Sequence, residues 1–316
     1  MPEQGVQAEG VRLDPLYPPR QRGRDQPTAY MMIGGAVAIV AVFTLYPVGY
    51  ALIGSLYNLS PILPRSFAGL MNFGQIFGSQ YFGFALKTTA VFALLTVPAI
   101  VVLGLLVALL LDRRFRGDGF VKVAILLPWT IPAATGGVMW KGVFADSWGA
   151  LNGTLYQLGL IREYISWLTD PTLAVAATTV AQVWAQFPLA AVLLLAAMQA
   201  IPDELYEAAA IDGASGLRRF AAVTFPHIRP MLIVVILFEL LLALTAFDLI
   251  FAMTGGGPGT ATTVLSYFIW SESFKMLSFG KGMALAVIIA GMAVILIAGL
   301  LRFMPRGALL EEVHAE

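Results

Sequence analysis

The chain has 316 residues, of which 59% are hydrophobic and 12% are charged, and it has no cysteine. A soluble domain is roughly half apolar and about a quarter charged, so this composition indicates an integral membrane protein and excludes an ordinary soluble enzyme. Nineteen basic residues balance nineteen acidic residues, so the net charge gives no reason to expect a nucleic acid partner. With no cysteine and only two histidines, His227 and His314, the sequence predicts no metal site.

The N-terminal residues 1–28 are polar and rich in proline, glycine and arginine, which predicts a disordered tail rather than a cleavable signal peptide. A membrane-spanning helix needs about 20 apolar residues. Six stretches meet this requirement: Tyr30–Leu52, Thr88–Leu111, Val123–Trp140, Leu173–Ile201, Met231–Met253 and Met283–Leu301. Five of them contain no charged residue, and the fifth in chain order contains Glu239 and Asp248. The fold class predicted is an all-α integral membrane protein with six spans.

The distribution of Lys and Arg gives an orientation, because cytoplasmic loops are enriched in these residues. If the N-terminus is cytoplasmic, thirteen of the nineteen basic residues lie on the cytoplasmic side and six lie outside. Both termini are therefore expected in the cytoplasm. Prolines inside or near the spans are expected to kink them: Pro98, Pro128, Pro132 and Pro188.

The loop between the fourth and fifth spans, residues 202–230, has its own helix signals. Pro202 suits a first helical position and Gly213 is a natural stop, which predicts a helix of about ten residues. Ser215 can cap a second helix, which is expected to end near Pro226 because the residue before a proline disfavours helical dihedrals. Three interpretations remain open on these residues: an amphipathic connector on the lipid headgroups, a DNA-binding helix-turn-helix, and a docking element for a cytoplasmic protein.

Residues 207–214 read Glu-Ala-Ala-Ala-Ile-Asp-Gly-Ala, and Phe220, Pro226 and Pro230 follow. This segment resembles the cytoplasmic EAA loop of inner-membrane permease subunits of binding-protein-dependent ABC importers, with Val223 and Phe225 in place of the usual isoleucine and leucine. The stretch Phe247–Pro258 resembles the end of the fifth span in carbohydrate permeases of the maltose and glycerol-3-phosphate type. The resemblance extends over roughly residues 30–305.

The resemblance implies a six-span type I ABC importer permease fold in a bacterial or archaeal inner membrane. It implies a disordered tail at 1–28, a permease domain at 29–305 that includes the coupling loop 202–230, and a second cytoplasmic tail at 306–316. The implied function is to form half of the translocation path for a carbohydrate or related polar solute.

The same resemblance implies the partners. They are a second permease subunit, two cytoplasmic ABC ATPase subunits, an extracytoplasmic solute-binding protein and membrane lipid, with no nucleic acid. Because the chain has no G-x-x-x-x-G-K-[ST] motif, ATP and Mg are expected on the partner ATPase subunits, and the chain itself is expected to have no cofactor and no catalytic residue.

The resemblance assigns ATPase coupling to the motif residues, which are expected to enter a groove on the ATPase. They are Glu207, Ala208, Ala209, Asp212, Gly213 and Ala214. For Glu207 the alternative is that the carboxylate only favours the start of a helix.

Polar residues inside the spans suggest a solute path. Thr178, Gln182 and Gln186 recur every four residues and so share one helical face, where they suit either sugar hydroxyls or helix–helix hydrogen bonds. Glu239 and Asp248 are nine residues apart, which places them on opposite faces of one continuous helix. Asp248 is expected to pack or to gate the path, and Glu239 is expected to pair with a neighbouring helix.

Two further features lie near the outer ends of the spans. Tyr267 could stack on a sugar ring or anchor at the membrane interface. Gly255, Gly256 and Gly257 are expected to form a flexible turn.

Two other function classes remain as alternatives. A proton- or ion-coupled secondary transporter should show an inverted repeat and more intramembrane carboxylates. A membrane-embedded enzyme should show a cluster of acid, base or metal-binding residues, and none is evident in the sequence.

Overall fold

The computed structural model describes residues 26–113 and 116–302. These residues fall into two compact units that divide between Tyr50 and Ala51. Residues 1–25 of the predicted N-terminal tail and the whole predicted tail at 306–316 lie outside the described residues. Residues 26–28 of the N-terminal tail belong to the first helix.

The described part of the first unit, residues 26–50, is helical throughout. Helix α1 (Gln26–Val40) passes through a π-helical turn (Ala41–Leu45) into α2 (Tyr46–Gly54), whose last residues belong to the second unit. The stretch Ile33–Gly54 is long and apolar enough to cross a membrane. This agrees with the first predicted span.

The second unit is predominantly helical in the described part of the chain. Its short β-strands, β1 (Tyr57–Asn58) and β2 (Ser66–Phe67), pair antiparallel with Tyr57 opposite Phe67. Its remaining helices are α3 (Met71–Phe77), α4 (Gln80–Leu111), α5 (Asp118–Thr130), α6 (Ala133–Val143), α7 (Ala150–Gln157), α8 (Pro171–Gln199), α9 (Asp203–Ile211), α10 (Gly216–Arg219), α11 (Phe225–Thr245), α12 (Asp248–Met253), α13 (Leu265–Trp270) and α14 (Phe279–Leu301).

Within the described residues, five helical stretches are long and apolar enough to cross a membrane, and a bent helix pair brings the number to six if it counts as one span. Helix α4 begins eight residues before the second predicted span because the Ser79 hydroxyl caps it by accepting from the Tyr81 N–H. Helix α8 is capped by Asp170, which accepts from the N–H groups of Thr172 and Leu173 at 2.9 Å. Pro98 and Pro188 lie inside these continuous helices.

The third predicted span, Val123–Trp140, is not one straight helix. Helices α5 and α6 meet at 93°. Ile131 has extended dihedrals (φ −78°, ψ 126°) immediately before Pro132, as expected for a residue that precedes proline. The prolines were visible in the sequence, but the size of the bend was not predicted.

The fifth predicted span, Met231–Met253, is also interrupted. Helix α11 ends at Thr245, Ala246 is extended (φ −60°, ψ 114°), and α12 begins at Asp248. The Ser266 hydroxyl donates a hydrogen bond to the Ala246 carbonyl oxygen, which satisfies that carbonyl outside a helix. The prediction that Glu239 and Asp248 lie on opposite faces of one continuous helix is therefore wrong.

Small residues bring the central helices α4 and α8 close together. A Cβ added at Gly104 would lie 2.9 Å from the Ala190 Cβ and 3.1 Å from the Ala191 backbone nitrogen. Close approach through small residues is the usual way in which helices pack in a membrane. Helix α13 is fixed to α4 because the Thr89 hydroxyl accepts the Leu265 N–H at 2.9 Å.

Candidate functional site

A cavity of about 240 Å³ lies between α8, the end of α11, the start of α12 and the start of α6. Its walls combine amide, hydroxyl and carboxylate side chains with apolar ones. The lining residues are Ala133, Gln182, Gln186, Leu242, Thr245, Ala246, Phe247, Asp248 and Leu249. We call this space the central cavity.

The central cavity is flanked by both helix interruptions. Ala133 follows the bend at Ile131–Pro132, and Ala246 and Phe247 form the break between α11 and α12. Non-helical backbone at membrane depth is tolerated only where it is buried in protein or lines a wet cavity. The two breaks therefore place non-helical backbone in the wall of the central cavity.

The two breaks are held together by close packing of the half-helices that follow them. A Cβ added at Gly137 on α6 would lie 2.8 Å from the Leu249 carbonyl oxygen and 2.9 Å from the Ala252 Cβ on α12. A glycine is required at this contact because any side chain would separate α6 from α12. Helices α6 and α12 thus form one side of the central cavity.

Three of the sequence-predicted path residues meet in the central cavity. Gln182 is buried, and the amide oxygen of Gln186 is buried without a hydrogen-bond partner. Asp248 is exposed and makes no side-chain hydrogen bond or ion pair with any described residue. Two amides and one carboxylate are therefore available to a ligand.

The other two predicted path residues lie elsewhere. Thr178 is buried outside the central cavity, and its hydroxyl donates to the Ala174 carbonyl oxygen at 2.9 Å. Tyr267 lines a separate cavity of about 330 Å³, where its hydroxyl accepts from the Lys275 ammonium at 3.1 Å. The structure thus separates the five predicted path residues into one group of three and two isolated residues.

The glycine turn beside Tyr267 is closely packed. Gly256 has φ +82°, and a Cβ there would lie 2.6 Å from a Tyr267 ring carbon. Two threonine hydroxyls donate to this turn, from Thr263 to the Gly256 carbonyl oxygen at 2.8 Å and from Thr262 to the Gly257 carbonyl oxygen at 2.7 Å. The turn that was predicted is therefore present, and contacts with Thr262, Thr263 and Tyr267 hold its backbone in a defined conformation.

Glu239 lies on α11 three residues before Leu242, which lines the central cavity, and Glu239 itself is not among the lining residues. Its side chain is 2% exposed, and neither carboxylate oxygen has a hydrogen-bond partner among the described residues. The predicted pairing with a neighbouring helix is therefore wrong for this part of the chain. Thr245 and Phe247 also line the central cavity, and the sequence has no glycine or proline beside them that would signal the helix break after Thr245.

The loop at 202–230 contains the predicted first helix. Helix α9 begins at Asp203, after Pro202, and ends before Gly213, which has φ +71°. Glu207, Ala208 and Asp212 are exposed. Their exposure leaves most of the motif free to meet a partner surface.

The opposite side of α9 is fixed to the bundle. Ala209 and Tyr206 are partly buried against the apolar core, and Ala214 is half-buried. The Tyr206 hydroxyl makes a 3.0 Å hydrogen bond with the Thr224 hydroxyl. The motif residues therefore divide, with Ala209 facing the bundle rather than a partner.

The second helix of this loop begins as predicted but does not end at Pro226. The Ser215 hydroxyl accepts from the Arg218 N–H at 3.5 Å at the start of α10. A π-helical turn (Phe220–Thr224) then leads directly into α11, and the Phe225 N–H bonds to the Phe220 carbonyl oxygen five residues back. Because of this five-residue pairing, the helix continues through Pro226 although proline has no N–H to donate.

The free side of the loop also carries large apolar side chains. Ile211 is 87% exposed and Leu217 is 80% exposed. Exposed apolar side chains beside Glu207 and Asp212 are typical of a surface that meets another protein. We call this set, Glu207, Ala208, Ile211, Asp212 and Leu217, the loop surface.

The chain is similar to known transport proteins. Residues 100–304 match the family described as "Binding-protein-dependent transport system inner membrane component". The chain is 33% identical over 310 residues to the sulfoquinovosyl glycerol transport system permease protein SmoG of Agrobacterium fabrum, covering 96% of this chain and 99% of that protein. It is 35% identical to the trehalose/maltose transport system permease protein MalF of Thermococcus litoralis, covering 84% of this chain and 89% of that protein.

A solved structure has the same fold. It is a chain of a bacterial ABC transporter involved in the import of the acidic polysaccharide alginate, with a TM-score of 0.75 and 22% sequence identity. The match covers 89% of this chain and 95% of that chain.

Proposed function

The chain belongs to the family of binding-protein-dependent transport system inner membrane components, and on this premise we propose which solute it carries and how it meets its ATPase. It is a multi-pass permease subunit of an ABC importer, with the all-α type I permease fold. A secondary transporter is not supported. The solute, the roles of individual residues and the orientation of the termini are our proposals.

The solute is a carbohydrate or a related polar compound, and it passes through the central cavity. The observation that carries this assignment is the meeting of Gln182, Gln186 and Asp248 between two broken helices. Amides both donate and accept hydrogen bonds, and a carboxylate accepts them, so together they match a solute rich in hydroxyl groups. The names of the two relatives, which refer to trehalose/maltose and to sulfoquinovosyl glycerol, support the same class.

The loop surface is the docking site for an ABC ATPase subunit, which binds ATP and Mg and hydrolyses the ATP. Glu207 and Asp212 supply charge, and Ile211 supplies an apolar anchor for the partner. This role places the loop 202–230 in the cytoplasm, together with both termini. A second permease subunit supplies the other half of the path, and an extracytoplasmic solute-binding protein delivers the solute.

The solute assignment is tested with the complete transporter in proteoliposomes that hold ATP inside. Uptake of radiolabelled trehalose and maltose is measured for the wild type and for a Gln182→Ala, Gln186→Ala double variant. We expect a loss of uptake of tenfold or more, because each lost hydrogen bond to the solute contributes on the order of 1 kcal/mol. Gln75→Ala, at an exposed position on α3, is the matched control. Normal uptake with lowered thermal stability in the double variant would show that the amides serve only helix packing.

The docking assignment is tested separately by charge reversal. Glu207→Arg should reduce both copurification of the ATPase and the stimulation of ATP hydrolysis by solute-loaded binding protein. Glu163→Arg, an exposed position between α7 and α8, controls for charge reversal during copurification. Unchanged copurification and hydrolysis in Glu207→Arg would refute the role of the loop surface.

A further inference from the structure

We propose that the central cavity accepts neutral polyhydroxylated solutes and excludes anionic ones. This inference rests on the proposed function, because it assumes that the solute passes through the central cavity. It goes beyond the relatives' names, since those names include both the neutral sugars trehalose/maltose and the anionic sn-glycerol-3-phosphate. Family membership is compatible with a neutral or an anionic solute, so the charge preference has to be inferred from the side chains that line the cavity of this chain.

The charge of the central cavity is negative. Among the described residues that line it, Asp248 is the charged one, and no lysine or arginine is present. The carboxylate of Asp248 is exposed and has no partner among the described residues, so no cation of this chain neutralises it. A phosphate, sulfonate or carboxylate on a solute would therefore meet a like charge.

The basic residues of the neighbouring elements are too distant or are already engaged. Lys141 is eight residues along α6 from Ala133, which corresponds to about 12 Å along the helix axis. Lys275 lies in the separate cavity of Tyr267, to whose hydroxyl it donates. The planar, bidentate recognition with which arginine binds carboxylates and phosphates has no counterpart in the lining.

The polar groups that are present suit a neutral polyol. Each of Gln182 and Gln186 offers two amide donors and one carbonyl acceptor, and neither side chain makes a hydrogen bond within the described residues. Asp248 accepts from hydroxyl groups without requiring a positive charge on the solute. A neutral sugar can satisfy all three groups at once.

Because the whole chain has no cysteine, the electrostatic field in the central cavity can be measured with a single introduced thiol. Thr245→Cys places a single thiol in the wall of the central cavity, in an assembled transporter whose partner subunits lack cysteine. Its labelling rates are measured with two methanethiosulfonates of opposite charge, the sulfonatoethyl and the trimethylammonioethyl reagents. Thr154→Cys, at an exposed position on α7, gives the reference ratio of the two rates.

We expect the cationic reagent to be favoured at Thr245→Cys by about tenfold over the reference ratio, since the field acts with opposite sign on the two reagents. Adding Asp248→Asn should remove most of this preference. Trehalose should slow the labelling, and trehalose 6-phosphate, which has the same skeleton with one anionic group, should not.

Each other outcome has a definite meaning. Equal rates, or a preference for the anionic reagent, would overturn the charge assignment. Protection by trehalose 6-phosphate but not by trehalose would also overturn it, while leaving the carbohydrate function in place. Protection by neither trehalose nor maltose, together with no uptake of either sugar by the complete transporter, would overturn the proposed function and this inference with it.

Discussion

The contact between α6 and α12 can be tested by adding one methyl group. In Gly137→Ala the new Cβ would lie 2.8 Å from the Leu249 carbonyl oxygen and 2.9 Å from the Ala252 Cβ, both shorter than ordinary contacts. The first of these atoms belongs to the backbone, so the overlap is relieved only if one half-helix moves. We therefore expect Gly137→Ala to displace α6 from α12 and to change the shape of the central cavity.

Two opposed contributions determine how much Gly137→Ala changes the free energy of unfolding. Overpacking of a filled contact costs about 1–3 kcal/mol. Replacing a helical glycine by alanine gains roughly 1 kcal/mol of helix propensity. Gly136→Ala is a matched control because it adds the same methyl in the same helix, where the closest atom, on Trp184, is 4.0 Å away. The difference in the free energy of unfolding between the two variants should therefore equal the overpacking term, about 1–3 kcal/mol.

The assay combines stability and transport. Denaturant unfolding of the purified chain in detergent gives the free energies of unfolding, and uptake by the complete transporter in proteoliposomes gives the functional effect. Gly137→Ala should lose both stability and uptake relative to Gly136→Ala. Equal stability and equal uptake in the two variants would refute the argument that the Gly137 contact holds the two breaks together.

Three other substitutions have defined outcomes. Asn152→Leu should lower the free energy of unfolding by about 2–4 kcal/mol. The reason is that the buried Asn152 amide makes hydrogen bonds of 2.9–3.1 Å that link Ile165 and Trp167. A loss below about 0.5 kcal/mol would contradict this expectation. Gly213→Ala should cost about 1–2 kcal/mol because the residue has φ +71°, and solute-stimulated ATP hydrolysis should fall, whereas Gly216→Ala, which adds the same methyl group in α10, should lower neither the stability nor the hydrolysis. Glu239→Met should raise the unfolding temperature, since it removes a buried carboxyl group with no partner in the described chain; a lower unfolding temperature in the complete transporter would mean that another subunit pairs with Glu239.

Much of the fold was predictable because its signals are local. Long apolar runs predict the spans, and α9 ends where Gly213 takes a left-handed conformation that other residues rarely adopt. The cap at Ser215 is equally local. These elements depend on side chains a few residues away and not on the rest of the bundle.

The features that were not predicted depend on distant contacts. The break after Thr245 contains neither proline nor glycine, and the Ala246 carbonyl oxygen that it frees is satisfied by Ser266, twenty residues away. The face shared by Gln182 and Gln186 was predicted from their spacing, but the approach of Asp248 depends on this break. Tyr267 was assigned to the same path, yet it packs against the glycine turn.

The two wrong boundary predictions, a helix end near Pro226 and an unbroken span Met231–Met253, together indicate how movement of the loop would reach the central cavity. Because the helix does not end at Pro226, the run Gly216–Thr245 is continuous over 30 residues, or about 45 Å, from the coupling loop to the central cavity. Helix α9 is tied to this run through Tyr206 and Thr224 at 3.0 Å. A displacement of α9 by a docked ATPase would therefore move the far end of α11, whereas the break after Thr245 lets α12 stay packed on α6. Since Gln182 and Gln186 face that break from α8, the movement would change the distance between the amides and the wall opposite them, which is the change that a gate requires.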